Sequence, residues 1–267
     1  DLAFLKRKVP NAEFVVPSDF TDKGILEACS EGVDVFLGPP PSEKVLKRVA
    51  HQLKFIQIPW AGVEAIDFSA CKKLNITCLN SHSNSECVAE FAVGLLFSLL
   101  KQIPFHNSEL KQGKWHRPAD PEGFFPPTVL KGKTIGYFGF GQINQNIQHM
   151  LSGFKLEHIA CVTSQREKDG IKFFDFSEVD KFVSKCDIIF IGAPITDKTE
   201  GVFDERLLDR MKKGGYLVNV SRAKIISEQA LVKALNSNLS GAAMDVWYSY
   251  PKRGESRSFP CSDELLE

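Results

Sequence analysis

No two cysteines in this chain stand at the two-residue spacing of a metal or redox motif. The seven cysteines, at positions 29, 71, 78, 87, 161, 186 and 261, form no cysteine–histidine pattern suited to zinc either, so no metal site is expected. Their odd number and the apolar context of four of them read as free, reduced thiols in a cytoplasmic protein. Net charge is equally absent: 33 basic residues balance 33 acidic ones. That leaves no global electrostatic case for a nucleic acid or an anionic membrane as partner. Long hydrophobic runs are missing too. The longest, FAVGLLFSLL (91–100), is 10 residues long, against the roughly 18 to 20 of a membrane span, and reads as a buried helix. There is no internal repeat and no visible signal peptide, and the chain opens on an aspartate, not on methionine.

What is present is ordinary globular material. With 267 residues, 43% hydrophobic and 25% charged, the chain can bury two modest cores. Short β-branched runs bounded by Pro or Gly alternate with amphipathic stretches. AEFVVP (12–17), VDVFLG (33–38), LKFIQIP (53–59) and ITCLN (76–80) read as buried strands. Between them lie a helix closing on Gly32 and a second capped by Ser42, with Val45, Leu46, Val49 and Leu53 on one face. A long helix over about 84–103 ends at Pro104, and the Pro-, Gly- and charge-rich stretch 111–133 reads as a linker-like excursion. A second series follows: strands at TIGYFGF, HIACVT, CDIIFIGAP, GYLVNVS and AAMDVW, with helices over 141–153, 176–184, 204–212 and 227–237. The expectation is an α/β fold of two doubly wound parallel-sheet domains, divided as 1–83, a connecting helix 84–104, and 105–267.

One stretch carries chemistry. In GKTIGYFGFGQINQNI (132–147) an apolar strand runs into Gly139-Phe140-Gly141 and then a helix, but Asn144 stands where a dinucleotide fingerprint has its third glycine. The first glycine permits a tight turn, and the second lets backbone approach a pyrophosphate at a helix N-terminus. The third allows close helix–strand packing, so Asn144 is expected to strain packing more than it blocks phosphate. Taken alone, the stretch serves a nucleotide site and a plain strand–helix turn equally well.

Longer segments decide between them. Residues 191–247, LKFIQIPWAGVEAID (53–67) and NSHSNSECVAEFAVGLL (80–96) closely resemble the D-2-hydroxyacid dehydrogenase family, D-isomer specific and NAD(P)-dependent, in the right order and at the right distances. The resemblance covers nearly the whole chain and is of the glyoxylate/hydroxypyruvate reductase-like kind. It implies a flavodoxin-like substrate (lid) domain, a Rossmann nucleotide domain, and an active site in the cleft between. It makes Arg222 the catalytic anchor, binding the substrate carboxylate and polarising the ketone, a role suited to a fixed guanidinium. It implies backbone capture of that carboxylate by Ala61, Gly62 and Val63, with Asn84 as a further substrate contact. The cofactor positions it implies are Gly139, Gly141, Gln142 and Ile143 in the glycine turn; Ala193, Pro194 and Thr199; Val220 and Ser221; and Asp245, which holds the nicotinamide carboxamide.

Three departures from the family qualify that picture. Tyr250, in DVWYSYP, takes the catalytic position of a carboxylate that pairs with a histidine in family members. The histidine itself is not found, because the chain stops at SDELLE, which looks like the lead-in to the Pro-His segment; truncation at both ends is expected, with the C-terminal part of the nucleotide domain and part of the lid missing. The second nucleotide strand ends in CVTSQREK (161–168), where an acidic residue would select NAD. Neutral Thr163 and Ser164 beside Arg166 favour the 2′-phosphate of NADP. The expected activity is hydride reduction of a small 2-keto acid to its D-2-hydroxy acid by a cytoplasmic homodimer, with the proton from a histidine beyond residue 267. The alternative is an inactive NAD(P)-binding sensor, like the family's co-repressor branch. His82 faces the implied cleft and is equally well read as a solvent-exposed or capping histidine.

Overall fold

The fold is that of a computed structural model, which describes residues 2–63, 66–116, 127–163, 167–168, 170–251, 255 and 258–266. Residues 1–84 and 85–267 form two compact units, each built on its own parallel sheet.

The first unit runs α1 (Leu2–Lys8), α2 (Asp22–Ala28), β1 (Val35–Leu37), α3 (Glu43–Val49), β2 (Phe55–Ile58), α4 (Phe68–Lys73) and β3 (Thr77–Asn80). Side-chain caps set the helix starts: Thr21, Ser42 and Asp67 accept the backbone N–H groups of Gly24, Val45 and Ala70. The strands pair in the order β1-β2-β3, all parallel. Val45, Leu46 and Val49 of α3 are buried, and Leu46 and Val49 share a core with Ile56 and Ile58 of β2. The strand expected at AEFVVP does not form. Val15 and Val16 are exposed, so the run has no core to face, and β-branched residues without a ladder or a burial partner gain nothing from extended pairing. The short helix α4 was not anticipated; its FSACKK sequence is too brief to show a period.

The second unit runs α5 (Ser85–Leu100), α6 (Ile103–Lys111), β4 (Thr134–Phe138), α7 (Gln142–Met150), β5 (Glu157–Val162), β6 (Ile171–Asp175), α8 (Val179–Val183), β7 (Ile188–Ile191), α9 (Glu205–Leu208), β8 (Gly215–Asn219), α10 (Glu228–Leu235), β9 (Leu239–Met244) and α11 (Asp263–Leu266). Its sheet has the order β6-β5-β4-β7-β8-β9, parallel throughout. This is the doubly wound dinucleotide-binding order, which reverses direction between β4 and β7. Each sheet face has its own core. Ala89, Ala92 and Leu96 of α5 and Ile147 of α7 pack with Ile135 and Tyr137 on one side. Phe182, Leu207 and Leu231 of α8, α9 and α10 pack with Ile189 and Ile191 on the other.

Three sequence expectations are corrected here. The helix expected over 84–103 ends at Leu100 as α5, and an unforeseen helix, α6, follows at 60° to it. The chain turns at Gln102 (φ 50°), and Pro104 falls in the first turn of α6, where its missing N–H costs nothing. Among the described residues no single helix is long and apolar enough to cross a membrane. The edge strand β6 went unforeseen, and the last strand begins at Leu239 and ends before Asp245.

Candidate functional site

Every residue of β4 is buried, and the strand delivers the chain to Gly139 at φ 78°, a conformation that favours glycine. Gly139 N–H donates to Cys161 O (2.9 Å), and Gly192 N–H donates to Phe138 O (2.9 Å). A Cβ on Gly139 would lie 2.9 Å from both Cα and N of Ala193. Gly141 differs: a Cβ there would meet nothing within 4 Å, so its bare face borders open space. Gly141 is also the N-cap of α7, and no side chain caps that helix. The amino end of α7, through Gln142 and Ile143, therefore offers N–H groups and the positive end of the helix dipole to open ground, an arrangement that fits a pyrophosphate.

Asn144 does not strain this turn, contrary to expectation. It is 1% exposed, and its Nδ2 donates to Gly139 O at 2.6 Å, with Phe138 O and Phe190 O each at 3.5 Å. Room for it comes from the facing strand end: a Cβ on Gly192 would lie 2.7 Å from Nδ2. Oδ1 is buried with no partner among the described residues. A cation also stands beside the turn. Lys168 Nζ lies 5.4 Å from the Phe140 ring centroid and donates to Gln148 Oε1 (3.1 Å). Thr163 is exposed at the end of β5. Ser164 and Arg166 lie outside the described residues.

At the neighbouring strand ends, Ala193 is buried and Pro194 follows it. The Thr199 hydroxyl donates to Pro194 O (2.8 Å) and accepts Thr196 N–H (2.8 Å), so this buried side chain fastens the 194–199 turn. Beyond β7, strand β8 ends in Asn219, which is wholly buried. Its Oδ1 accepts both the N–H and the O–H of Ser221 (3.1 Å each), and its Nδ2 donates to Arg222 O (3.0 Å). Val220 and Ser221 are buried; Arg222 is half-buried, and its Nη1 donates to Ser221 O at 2.7 Å. Asp245 N–H donates to Asn219 O (3.0 Å), which sets Asp245 just past β9 and beside the arginine turn. Its side chain is exposed, and partial desolvation of the carboxyl raises its pKa. Tyr250 is 61% exposed, and its hydroxyl accepts Trp247 N–H (3.0 Å).

In the first unit the loop after β2 is tied to the end of β3. Asn80 Nδ2 donates to Ala61 O (2.9 Å), and Ser81 N–H donates to Trp60 O (3.3 Å). Ala61, Gly62 and Val63 are half-buried; Asn84 and His82 are exposed, with His82 Nε2 3.4 Å from Asn80 Nδ2. Among the described residues no group of three or more His, Cys, Asp or Glu could hold a metal ion.

A glycine turn thus stands at the reversal of the sheet and an arginine turn two strands away. The profile described as "D-isomer specific 2-hydroxyacid dehydrogenase, NAD binding domain" matches residues 93–263. The chain belongs to the D-2-hydroxyacid dehydrogenase family. It is 32% identical over 206 residues to a glyoxylate reductase of Thermofilum pendens, covering 76% of this chain and 60% of that protein. The NAD-dependent formate dehydrogenase of Staphylococcus aureus, solved with NAD, is 32% identical with a TM-score of 0.70 over 95% of this chain and 75% of that one. An NADPH-dependent glyoxylate/hydroxypyruvate reductase of Sinorhizobium meliloti is 25% identical with a TM-score of 0.80, covering 100% and 81%. The chain spans less than two thirds of the length of the first curated relatives it matches.

For this member of the family, one residue that the sequence left unmarked, Asn219, ties the site together: its side chain holds Ser221 and Arg222, and its main-chain oxygen takes the Asp245 N–H. Asn219 had a signal of its own: an amide at the end of the apolar run YLVN, placed to make an Asx turn. Lys168 was also passed over, as one charge among several in a polar loop.

Proposed function

We propose that the chain carries the nucleotide site and part of the substrate site of an NAD(P)-dependent oxidoreductase that reduces a small 2-keto acid, such as glyoxylate or hydroxypyruvate, to its D-2-hydroxy acid. The observation that carries this reading is Arg222 held at the carboxyl end of β8, in the same sheet as an open glycine turn where strand order reverses. Gly139, Gly141, Gln142 and Ile143 would hold the pyrophosphate; Ala193, Pro194, Val220 and Ser221 would line the nicotinamide side, with Thr199 keeping the Pro194 turn in shape. Asp245 would accept from the carboxamide. When bound, the nucleotide supplies the hydride. Arg222 would grip the carboxylate and draw charge toward the keto oxygen, while backbone N–H groups of Ala61, Gly62 and Val63, with Asn84, complete the anchor.

NADP is favoured over NAD. The support is the neutral Thr163 and Ser164 and the basic Arg166 at the end of the second strand, together with Lys168 beside the glycine turn. A homodimer is supported by apolar side chains exposed along α5 and α6, namely Phe91, Ile103 and Leu110. The free cysteines of the described chain suit the cytoplasm.

Fluorescence titration with NADPH and NADH, followed by an assay with glyoxylate, tests the reading. NADPH is expected to bind more tightly, and Arg166→Ala to cost about 1 to 3 kcal/mol for NADPH alone. Arg222→Ala is expected to abolish turnover while leaving nucleotide affinity within a few-fold. Equal affinities for the two nucleotides would remove the phosphate-pocket assignment. The second reading, a nucleotide-binding sensor, is favoured by Tyr250, whose phenol is occupied by the Trp247 N–H and supplies no carboxylate. Tight NADPH binding with no turnover of any 2-keto acid would select it.

A further inference from the structure

We propose that Asn219 is the positioning residue that aims Arg222; calling the object of that aim a 2-keto acid rests on the function proposed above. The side chain is wholly buried where β8 ends. Its two ends do opposite jobs. Oδ1 takes the Ser221 N–H and O–H, and Nδ2 gives to Arg222 O, so one rigid carboxamide spans the turn from residue 221 to residue 222. The guanidinium is then referenced to that same turn, because Arg222 Nη1 donates to Ser221 O at 2.7 Å. The Ser221 peptide is thus one anchor of the charge, and the orientation of that peptide is set by Asn219. Downstream the chain cannot give way, since Ala223 and Ile225 of the following 3-10 turn are buried.

The chemistry of the position is narrow. Aspartate has the right shape but no N–H for Arg222 O, leucine has neither donor nor acceptor, and serine is too short to reach both. A buried carbonyl and N–H left unpaired carry their full desolvation penalty, so the turn would reorganise and take Arg222 with it. The link to Asp245 is different in kind. Asp245 N–H bonds the main-chain oxygen of Asn219, and no side-chain substitution removes that oxygen. Changes at 219 should therefore weaken substrate binding far more than nucleotide binding, which they reach only through Ser221.

The experiment uses the whole chain with Asn219→Asp, Asn219→Ala, Arg222→Ala and the 219/222 double alanine variant, each checked for folding by circular dichroism. The first readout needs no ligand: the Arg222 Nε–H resonance in arginine-labelled protein is expected to shift and broaden in both Asn219 variants. The second is binding of oxamate to the NADPH-saturated protein, expected to weaken about 100-fold, the scale of a roughly 1 Å misplacement, with NADPH affinity changed only a few-fold. The third is the cycle: the double variant should bind oxamate no worse than Arg222→Ala alone, because the first residue acts through the second. An unmoved Nε–H resonance in either folded variant overturns the proposal, and so do additive losses or equal losses of NADPH and oxamate. If wild type binds no oxamate, the Nε–H resonance still decides the role of Asn219, and only the substrate reading falls.

Discussion

The two sheets of this chain solve burial differently. In the second unit β4 and β7 are buried at every residue, because helices cover both faces of the sheet. In the first unit β2 alternates half-buried and buried positions, and β1 and β3 have no fully buried residue. A two-sided core turns each central strand into a continuous apolar run, whereas a sheet packed mainly on one side leaves mixed, short strands. Stability should follow the same division, since cooperative units with fewer buried apolar groups open first.

The largest expected effect tests that division directly. Phe190→Ala, in the middle of β7, should cost about 3 to 5 kcal/mol, and Ile56→Ala in β2 about 2 to 4 kcal/mol; both side chains are wholly buried. Hydrogen exchange read by mass spectrometry should show the Ile56 variant opening only residues of the first unit. If β4 and β7 exchange faster in that variant as well, the units unfold together and the comparison fails.

A pair of glycines sharpens it further. Gly38 and Gly139 both have positive φ, 137° and 78°. A Cβ on Gly38 meets nothing within 4 Å, while one on Gly139 strikes the Ala193 backbone. Gly38→Ala should therefore cost only the backbone term, about 1 to 2 kcal/mol. Gly139→Ala should add about 1 to 3 kcal/mol of overpacking and weaken NADPH binding. Thermal melts and nucleotide titration of the two variants check this; equal melting shifts would mean that the Gly139–Ala193 approach yields easily.

The smallest effect is a pH dependence confined to the second unit. Asp187 Oδ2 accepts Thr134 N–H (2.9 Å) and Lys212 Nζ (2.8 Å), clamping the starts of β4 and β7. Partial burial alone would raise its pKa, but the Lys212 hydrogen bond, the Thr134 N–H and the charges of Lys212 and Lys133 outweigh that and hold it below the ordinary 3.8. A carboxyl with a depressed folded-state pKa stabilises fully above the unfolded value and loses that contribution as pH falls through the folded value. Asp187→Asn should cost about 1 kcal/mol at neutral pH, and the difference from wild type should vanish below pH 3.8 as the wild-type carboxyl takes up its proton. A constant difference across the acid range, measured by urea titration, would assign the effect to shape.

Legibility in the sequence tracked the same two-sided burial. TIGYF, CDIIFI and GYLVN announce strands because both faces are apolar, and they made the alternating strand–helix series of the second unit legible. AEFVV is likewise rich in β-branched and aromatic residues yet forms no strand, since composition cannot say whether a neighbour exists to pair with. IKFFD was passed over because Lys172 and Asp175 flank its two phenylalanines, so the short run reads as part of a polar loop. At the candidate site, glycines and charges were legible as types; what they touch was not. Arg222 could be named, but the carboxamide that sets it could not, because a buried asparagine at a strand end reads like any turn residue until its partners are known. The strain expected at Asn144 came from judging one helix position without the strand it faces.

That facing pair limits the order in which this turn can change. The small residue of the packing contact sits at 192, across the interface from its usual helix position, and the amide at 144 fills the gap. Any Cβ added at 192 while the amide remains meets it at 2.7 Å. Glycine introduced first at 144 leaves a void and takes the donor from Gly139 O, yet opens the way for alanine at 192 afterwards. Two single-step histories between the same endpoints are thus unequal: one begins with a clash between packed groups, the other with a hole and a lost hydrogen bond. Residue 192 is free to vary only in descendants that have already given up the asparagine.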